Sequence, residues 1–554
     1  MTGAEALVRL LDLHGVEYIF GLCGDTTLPL YDALARLDHG ITHILARDER
    51  AAAYMADGYA RMSGRVGVCE GPSGGGATYI LPGVVEANES SVPLLAITSD
   101  ISVAARGRYA LTELDQAALF RPLTKWNTVI DRAADLPRSL RAAFRAITGG
   151  RPGAAHVGLP YDVQTGAVDG DDIWAAPTPG RASVAPSAAA IATAAEVLTT
   201  ARRPLFICGG GVLIAGAEAP LAAVAESLGA PVATTISGRG AIADDHPLAL
   251  GVVGSNGGVV ETRRLVDAAD AIVFVGCRAG SVTTERWRHP APGAARIAHI
   301  DIDPMVIGAN YPTEAALVGD ARAALEGLAT AVAGVTPAPG LAAEVAAAKA
   351  EKFAAFEALA ASDATPIRPE RIVAQLQAAL PDDAMVMLDP GTPCPYFSAY
   401  YRLRRSSRRM VSNRAHGALG YALPAAIGAK FACPEAVSVA VMGDGSFGFT
   451  AGELETAARI GVDVTFVVIA NGCFGWIKAG QKTGYGGRYF SVDFTATDHA
   501  AVAAAYGVRS WRVTAPEDLR PALAAAIAHR GPALVDIVAQ PLQEARAPVS
   551  EWIA

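Results

Sequence analysis

Two stretches in the last third of the chain decide the fold: VSVAVMGDGSFGF, residues 437–449, and VTFVVIANGCFGW, residues 464–476. Each is a run of β-branched apolar residues that ends at a glycine-containing turn, a pattern typical of a buried parallel strand. We predict that the turn Gly443–Ser446 follows the first strand and that a helix begins at about residue 452. Asp444 and Asn471 then lie at the carboxyl ends of two strands, the edge where open parallel sheets bind ligands.

The residue types at this edge indicate a metal–diphosphate site. Asp444 supplies a carboxylate and Asn471 a side-chain carbonyl, and both are hard oxygen ligands that suit Mg2+. Gly443 and Gly445 let the backbone approach a phosphate, while the following helix points its N-terminal amides at it. An Asp-Gly pair after a strand is by itself more often only a turn. The Asn-Gly pair at the next strand end therefore favours the two-ligand site.

Composition excludes several other classes of protein. The chain has 554 residues, of which 51% are hydrophobic and 18% charged, enough for a globular protein of three domains. A net charge of −9 argues against nucleic-acid binding. No apolar stretch approaches the roughly 18 residues of a membrane span, and the first residues carry no signal-peptide pattern. Seven cysteines without a CxxC pair predict a reduced, cytoplasmic protein rather than a disulfide or zinc framework.

The first third of the chain carries two further candidate elements. Glu49 falls between a predicted strand at 41–45 and a predicted helix, where a lone acid is more often a helix-start charge. The loop GPSGGGATY, residues 71–79, precedes a helical stretch and is compatible with either a cofactor loop or a flexible turn. Residues 165–187 are rich in Gly, Pro, Asp and Ser, which predicts a surface linker.

Together with Glu49, three motifs in this order give the chain a family resemblance: GPSGGGATY, GALGYALPAAIGA at 417–429, and GDG followed by ANG. The chain resembles thiamine-diphosphate-dependent enzymes, and within them the acetolactate synthase branch. The resemblance covers nearly the whole chain and implies an α/β fold of three doubly wound parallel-sheet domains. These are a pyrimidine-binding domain at 1–170, a central domain at 188–335 and a diphosphate-binding domain at 365–542. The tail at 543–554 is either loose or a lid.

The resemblance also implies a role for each site residue. Glu49 would hydrogen-bond a ring nitrogen of the cofactor's pyrimidine. The backbone of Gly417 and Leu419 would also bind the pyrimidine, and the side chain of Leu419 would be the apolar wedge that bends the cofactor. Glu49 would thereby assist formation of the thiazolium carbanion that attacks a carbonyl carbon. The ligands of Mg2+ would be Asp444, Asn471 and the main-chain carbonyl of Cys473. The groups around the phosphates would be Gly391, Thr392, Gly443, Gly445 and Ser446.

Several positions depart from the branch. Thr112 stands where the branch usually has Gln, Gly480 where it has Trp, and His416 where it has an apolar residue. We therefore predict Thr112 and His416, with Glu49, as catalytic residues, although a lone His is more often structural. The residues predicted to line the substrate pocket are Gly75, Leu111, Trp476, Ile477 and Gly480. The turn at 277–281 lacks the branch's FAD-binding pattern, so FAD is not expected, and an adenine nucleotide, coenzyme A or nothing could occupy that cleft.

The resemblance implies a carboligase that decarboxylates a 2-oxo acid, with thiamine diphosphate and Mg2+ as cofactors. The alternative is a decarboxylase or 2-hydroxyacyl-CoA lyase that releases an aldehyde, and a remote alternative is a catalytically silent binding protein. In this family each active site draws its pyrimidine half and its diphosphate half from two chains. A homodimer is therefore the expected minimum, and a homotetramer is common in the branch. The expected partners are small molecules, not nucleic acid or membrane.

Overall fold

The computed structural model describes residues 1–175 and 184–552. Residues 176–183 of the predicted linker and the last two residues of the predicted tail lie outside the described part. Within it, the chain forms three parallel six-stranded sheets, with helices between the strands. The predicted fold class is confirmed, whereas the predicted domain boundaries stay predictions.

The first sheet has the strand order β2-β1-β3-β4-β6-β5. Its strands are β1 Tyr18–Gly21, β2 Thr42–Leu45, β3 Gly67–Gly71, β4 Leu94–Asp100, β5 Trp126–Val129 and β6 Ala154–Pro160. The helices of this region are α1 Gly3–Leu13, α2 Leu28–Arg36, α3 Glu49–Ser63, α4 Gly75–Tyr79, α5 Leu81–Glu89, α6 Gln116–Phe120, α7 Leu136–Thr148 and α8 Tyr161–Thr165. Strand β4 is buried along its whole length, as expected of a central strand covered on both faces.

The central sheet has the order β12-β11-β10-β7-β8-β9. Its strands are β7 Pro204–Cys208, β8 Val232–Thr234, β9 Ala249–Val252, β10 Ala271–Val275, β11 Arg296–Asp301 and β12 Ala315–Val318. The helices are α9 Ala188–Thr199, α10 Gly210–Ala215, α11 Glu218–Leu228, α12 Val260–Ala268, α13 Ala321–Ala331 and the long α14 Leu341–Ala360. Apolar clusters cover both faces of this sheet.

The third sheet has the order β14-β13-β15-β16-β18-β17, the same pattern as the first sheet. Its strands are β13 Met385–Leu388, β14 Met410–Ser412, β15 Ser438–Gly443, β16 Val464–Ala470, β17 Arg509–Val513 and β18 Ala533–Val538. The helices are α15 Pro369–Ala379, α16 Pro393–Tyr400, α17 Ala422–Ala432, α18 Asp444–Thr450, α19 Glu453–Ile460, α20 Gly475–Gly484, α21 His499–Ala505 and α22 Pro516–Ala528. The order reverses between β13 and β15, and such a switch point forms a crevice at the carboxyl ends of the strands.

The start of α18 differs from the sequence-based prediction. We expect a turn at Gly443–Ser446 from the sequence, but the helix begins at Asp444, immediately after β15. A carboxylate in the first turn of a helix is favoured by the partial positive charge of the free amides there. Asp444 is therefore the first residue of α18 and directly follows Gly443, the last residue of β15.

The chain divides into two compact units. One contains the described residues within 1–182, 413–440 and 448–464, and the other those within 183–412, 441–447 and 465–554. In the first unit, α3 and α17 cross with their backbones almost touching. A Cβ at Gly428 would overlap the carbonyl oxygen of Met55, and one at Gly58 would overlap that of Ala425. Glycine at both positions is what permits this crossing.

We expect Gly428→Ala to lower the melting temperature by roughly 5 °C, because the added methyl group must push two backbones apart. Differential scanning calorimetry on the full chain measures this change. The matched control is Gly448→Ala in α18, where a Cβ would meet no atom within 4 Å and the melting temperature should not fall. An equal decrease in both variants would contradict the proposed backbone contact.

Candidate active site

The carboxylate of Asp444 joins the carboxyl ends of two strands of the third sheet. Its Oδ2 accepts the backbone N–H groups of Asn471 at 3.0 Å and Gly472 at 2.6 Å, and its Oδ1 accepts that of Gly445 at 2.9 Å. The side chain is thus held by the turn that follows β16 while it belongs to the start of α18. The arrangement brings together the two residues that the sequence places at neighbouring strand ends.

Asn471 and Thr392 continue this site. Asn471 Nδ2 donates to Thr392 Oγ1 at 3.2 Å, and the thiol of Cys473 lies 3.5 Å from Asn471 Oδ1. Gly391, with φ +96°, and Gly443 have no atom within 4 Å of where a Cβ would be. The backbone beside Asp444 and Thr392 therefore borders open space, which is what a bound phosphate requires.

The donor set fits a hard metal ion that takes some of its ligands from a bound phosphate. Asp444 and Asn471 provide oxygen atoms, and no cluster of three His, Cys, Asp or Glu side chains that could hold a metal ion occurs among the described residues. An ion here would have to take its remaining ligands from main-chain carbonyls, phosphates or water, as Mg2+ does. Burial raises the pKa of Asp444 above its ordinary value, although the three backbone N–H donors oppose this shift.

Helix α20 begins directly at this site. A Cβ at Gly475 would lie 3.2 Å from Asn471 Nδ2 and 3.4 Å from Thr392 Oγ1. At the next residue, the ring of Trp476 packs against that of Trp552 with centroids 5.0 Å apart. A Cβ at Gly480 would lie 3.7 Å from Trp552 Cβ, so the space that Gly480 leaves is bordered by the tail.

The tail is held by hydrogen bonds within the same unit. The backbone of Gly257 donates to Pro548 O, and that of Ser550 donates to Ser255 O, at 2.8 and 3.0 Å. Glu551 forms ion pairs with Arg286 and Arg288. Among the described residues the tail is therefore attached and not loose. Ile477, the other predicted pocket residue of α20, is about half exposed.

Glu49 belongs to the other compact unit, where it is the first residue of α3 and is 7% exposed. Burial raises the pKa of its carboxyl group. The hydrogen bond to its own backbone amide opposes this shift, and the negative charges of Asp48 and Glu70 add to it. A Cβ at Gly76 would lie 3.2 Å from Glu49 Oε1, so the glycine-rich loop packs beside the carboxyl group. The site provides a buried carboxyl group that retains its proton to a higher pH than an exposed glutamate.

The structure places Thr112 against the same glycine-rich loop. Thr112 Oγ1 lies 2.7 Å from Ser73 Oγ, and a Cβ at Gly74 would lie 2.8 Å from Thr112 Cβ. Thr112 has φ +68°, which is strained for a β-branched residue. Gly75, which begins α4, has open space where a Cβ would be, and Leu111 is 85% exposed. Both predicted pocket residues of this region therefore border space that a ligand can enter.

The segment before α17 is fixed by a buried ionic network. The backbone N–H of His416 donates to Glu86 Oε2 at 2.8 Å, and Glu86 is paired with Arg61 at 3.0 Å. Arg61 also pairs with Asp57 at 2.7 Å, and Tyr421 donates to Asp57 at 2.6 Å. The exposed side chain of His416 is thus attached to a rigidly held backbone.

Gly417 and Leu419 lie within this held segment. Gly417 has φ +73° and open space at its Cβ position, and Leu419 is half-buried. The amide of Asn413 donates to Ala418 O at 2.6 Å, which fixes the peptide between them. The backbone here is presented at a defined position, as binding of a pyrimidine ring would require.

Sequence reasoning misses two buried acids near Glu49. Glu70, at 1% exposure, accepts a hydrogen bond from Tyr31 OH at 2.5 Å and lies 3.2 Å from His43 Nε2. Its signal is visible in retrospect, because Glu70 is the only charge in the strand GVCEG. Glu453, also at 1% exposure, accepts the backbone N–H of Arg47 at 2.9 Å. It looks like an ordinary helix-start charge, and no local pattern reveals its burial.

Comparison with known proteins gives the same domain series. Three family models described as "Thiamine pyrophosphate enzyme" match this chain. The N-terminal TPP binding domain matches residues 1–119, the central domain residues 191–328 and the C-terminal TPP binding domain residues 389–537. A "Probable acetolactate synthase large subunit" of Methanocaldococcus jannaschii is 35% identical, over 98% of this chain and 93% of its own length. The chain belongs to the thiamine pyrophosphate enzyme family.

Within this family the chain is an acetolactate synthase-like, thiamine-diphosphate-dependent enzyme. A second "Probable acetolactate synthase large subunit", from Methanococcus aeolicus, is 34% identical over 98% of this chain and 92% of its own length. The "Acetolactate synthase isozyme 3 large subunit" of Escherichia coli is 32% identical over 95% of this chain and 92% of its own length. None of the helices within 1–175 and 184–552 is long and apolar enough to cross a membrane. The roles of individual site residues stay predictions.

Glu453 makes stability depend on pH. Burial raises the pKa of its carboxyl group from 4.5 to about 7, so the folded chain keeps a proton that the unfolded chain releases between these values. The stability that this proton contributes is complete below pH 4.5 and is lost as the pH rises through 7. We expect Glu453→Gln to melt at about the wild-type temperature at pH 5 and roughly 3 °C above it at pH 8.

The matched control is Glu455→Gln, two residues away, whose side chain is partly exposed and pairs with Arg459. Melting curves of both variants at pH 5 and pH 8 provide the measurement. If the difference in melting temperature between wild type and Glu453→Gln is the same at pH 5 and at pH 8, the burial of Glu453 does not make stability depend on pH.

Proposed function

We propose that the protein is a thiamine-diphosphate- and Mg2+-dependent carboligase that decarboxylates a 2-oxo acid and joins the remaining acyl unit to a second carbonyl compound. The observation that carries the proposal is the set Asp444, Asn471 and Thr392, joined by hydrogen bonds beside open backbone. The buried carboxyl group of Glu49 supports the same reading from the other half of the site. The names of the similar proteins support the choice of a 2-oxo acid.

In this proposal Asp444, Asn471 and the main-chain carbonyl of Cys473 would hold Mg2+, and the ion would neutralise charge on the diphosphate. The residues that surround the phosphates are Gly391, Thr392, Gly443, Gly445 and Ser446. Gly445 is required for a second reason, since a Cβ there would lie 2.8 Å from the ring of Phe474. When bound, the cofactor supplies the electron sink for cleavage of the carbon–carbon bond.

The chain's own residues set the geometry and hold protons. Glu49 would hydrogen-bond the pyrimidine nitrogen, and its raised pKa would let the carboxyl group hold a proton there. The backbone of Gly417 and Leu419 would hold the pyrimidine, and the Leu419 side chain would be the apolar support for the cofactor. Thr112 and His416 are proposed to contact the substrate, through a hydroxyl group and an imidazole ring respectively.

The residues proposed to contact the substrate are Gly75, Leu111, Trp476, Ile477 and Gly480. Trp552 packs on Trp476 and Gly480, which supports a closed outer wall at α20. The proposal includes no FAD. A cytoplasmic location also stays a prediction, with the absence of disulfides among the seven cysteines as its support.

The decisive test supplies the full chain with pyruvate, Mg2+ and thiamine diphosphate. We expect CO2 release, with acetolactate or acetoin identified by NMR. The control Glu49→Gln should bind the cofactor, measured by calorimetry, but turn over about 100- to 1,000-fold more slowly, since its amide cannot share the proton. An aldehyde as sole product would replace the carboligase with a decarboxylase. Absence of CO2 from pyruvate and from larger 2-oxo acids would contradict the proposal.

We further propose that the functional unit is a homodimer at minimum, and a homotetramer by analogy with the branch, with Glu49 and Asp444 of one site supplied by different chains. Mixing Glu49→Gln and Asp444→Asn subunits tests this. In a mixed dimer one of the two sites then has both native residues, so a randomised mixture should recover about a quarter of wild-type turnover. If both residues come from one chain, no mixture will exceed the activity of the separate variants.

A further inference from the structure

Trp552, in the tail, fills the space that Gly480 leaves beside helix α20. Apart from the helix itself, the only described atoms within 4 Å of where a Cβ on Gly480 would be are Trp552 Cβ, at 3.7 Å, and Trp552 O, at 3.8 Å. Gly480 is nevertheless buried, although it has no side chain of its own. The tail therefore supplies the bulk that this position of the helix lacks.

The residues of α20 that the tail covers belong to one face of the helix. Trp476, Ile477 and Gly480 share this face, because positions one and four apart lie close together around a helix. Trp552 contacts two of the three, since its ring packs against that of Trp476 and its Cβ lies over Gly480. Ile477 is about half exposed. Ile477 is therefore the part of this face that stays open to a ligand.

Other sides of α20 are occupied by different parts of the same compact unit. Lys478 forms an ion pair with Asp493. Lys482 donates a hydrogen bond to the carbonyl oxygen of Gln543, close to the start of the tail. These contacts fix the rotation of α20 about its axis, so the face with Ile477 is presented in one orientation.

The tail is anchored independently of the indole ring of Trp552. Ser550 Oγ donates a hydrogen bond to Glu285 Oε2 at 2.6 Å, and Glu285 is paired with Arg263 at 2.7 Å. The backbone of Ser550 also donates to Ser255 O at 3.0 Å. Truncation of Trp552 would therefore remove the ring and leave the tail attached.

We propose that Trp552 is a specificity-determining residue, which limits the length of the side chain that a substrate can carry. The inference rests on the proposed function, in which Trp476, Ile477 and Gly480 contact a 2-oxo acid. A packed indole ring cannot be compressed, so a longer side chain next to Ile477 would have to displace it. The wild-type protein therefore favours 2-oxo acids with short side chains.

The first test compares two substrates that differ by three methylene groups, pyruvate and 2-oxohexanoate. Their kcat/KM values are measured with cofactor-loaded wild type, Trp552→Ala and the control Trp511→Ala. Trp511 belongs to the same unit but lies on strand β17 beside Arg509. We expect the preference for pyruvate to fall about 10-fold in Trp552→Ala and to stay unchanged in the control.

The outcomes of this test separate the inference from the proposed function. If Trp552→Ala turns over pyruvate with an unchanged preference, the inference is wrong and the proposed function stands. If the wild-type protein turns over neither substrate and no other 2-oxo acid, both are overturned.

A rescue variant separates this role from a purely structural one. When Gly480→Trp is combined with Trp552→Ala, an indole ring on the helix can occupy the same space, and we expect the preference for pyruvate to return. Gly480→Trp alone leaves two rings competing for one space, so its melting temperature should fall by about 5 °C. A double variant that melts at the wild-type temperature but keeps the altered preference would overturn the inference.

The last test does not depend on turnover. Free indole is added at millimolar concentration to the cofactor-loaded proteins, and their melting temperatures are measured. Indole should raise the melting temperature of Trp552→Ala by about 2 °C, because the truncated side chain leaves an apolar recess that the ring can refill. We expect no such increase for wild type or for the double variant. Equal increases in wild type and Trp552→Ala would show that Trp552 fills no such space.

Discussion

The site depends on one set of hydrogen bonds, those from the backbone amides after β16 to the carboxylate at the start of α18. Because Asp444 Oδ2 accepts two of these amides, the ends of two strands are held at a fixed separation at the switch point of the third sheet. The same contacts orient Asn471 toward Thr392 and determine where α20 starts. The candidate metal ligands, the proposed phosphate cradle and the wall of the proposed pocket all follow from this arrangement.

A second constraint is the burial of ionisable groups. Glu49, Asp444 and Glu453 all have raised pKa values whose main cause is burial. Parallel sheets covered on both faces leave their polar residues at the strand ends, where helices then cover them. A carboxyl group at such a place is removed from water yet remains next to a crevice. This combination suits groups that must exchange protons or bind ions, and two of the three occupy such places: Asp444 directly follows β15, and Glu49 begins the helix after β2.

Much of the fold is predictable from the sequence because it depends on local patterns. Runs such as VSVAVM and VTFVVIA mark β15 and β16, and the spacing between Asp444 and Asn471 places both at one edge. The start of α18 is mispredicted, because glycines near a turn signal suggest a loop even where a side-chain carboxylate stabilises a helix start.

Contacts between distant residues have no local signal. Glu453 accepts a hydrogen bond from a residue about four hundred positions earlier, and its burial is a property of packing that hydrophobic periodicity does not encode. The contact of Trp552 with Trp476 is similar, since nothing in the tail sequence indicates which helix it meets. The strained φ of Thr112 depends in the same way on the glycine-rich loop packed against it. By contrast, the glycines at which α3 and α17 cross have a wider meaning. Where the main chains of two helices are in contact, the absence of a side chain at the contact sets the distance between the helices, and the side chains elsewhere do not. Substitutions elsewhere on these helices can therefore accumulate without changing the distance between the helices, as long as both positions stay glycine.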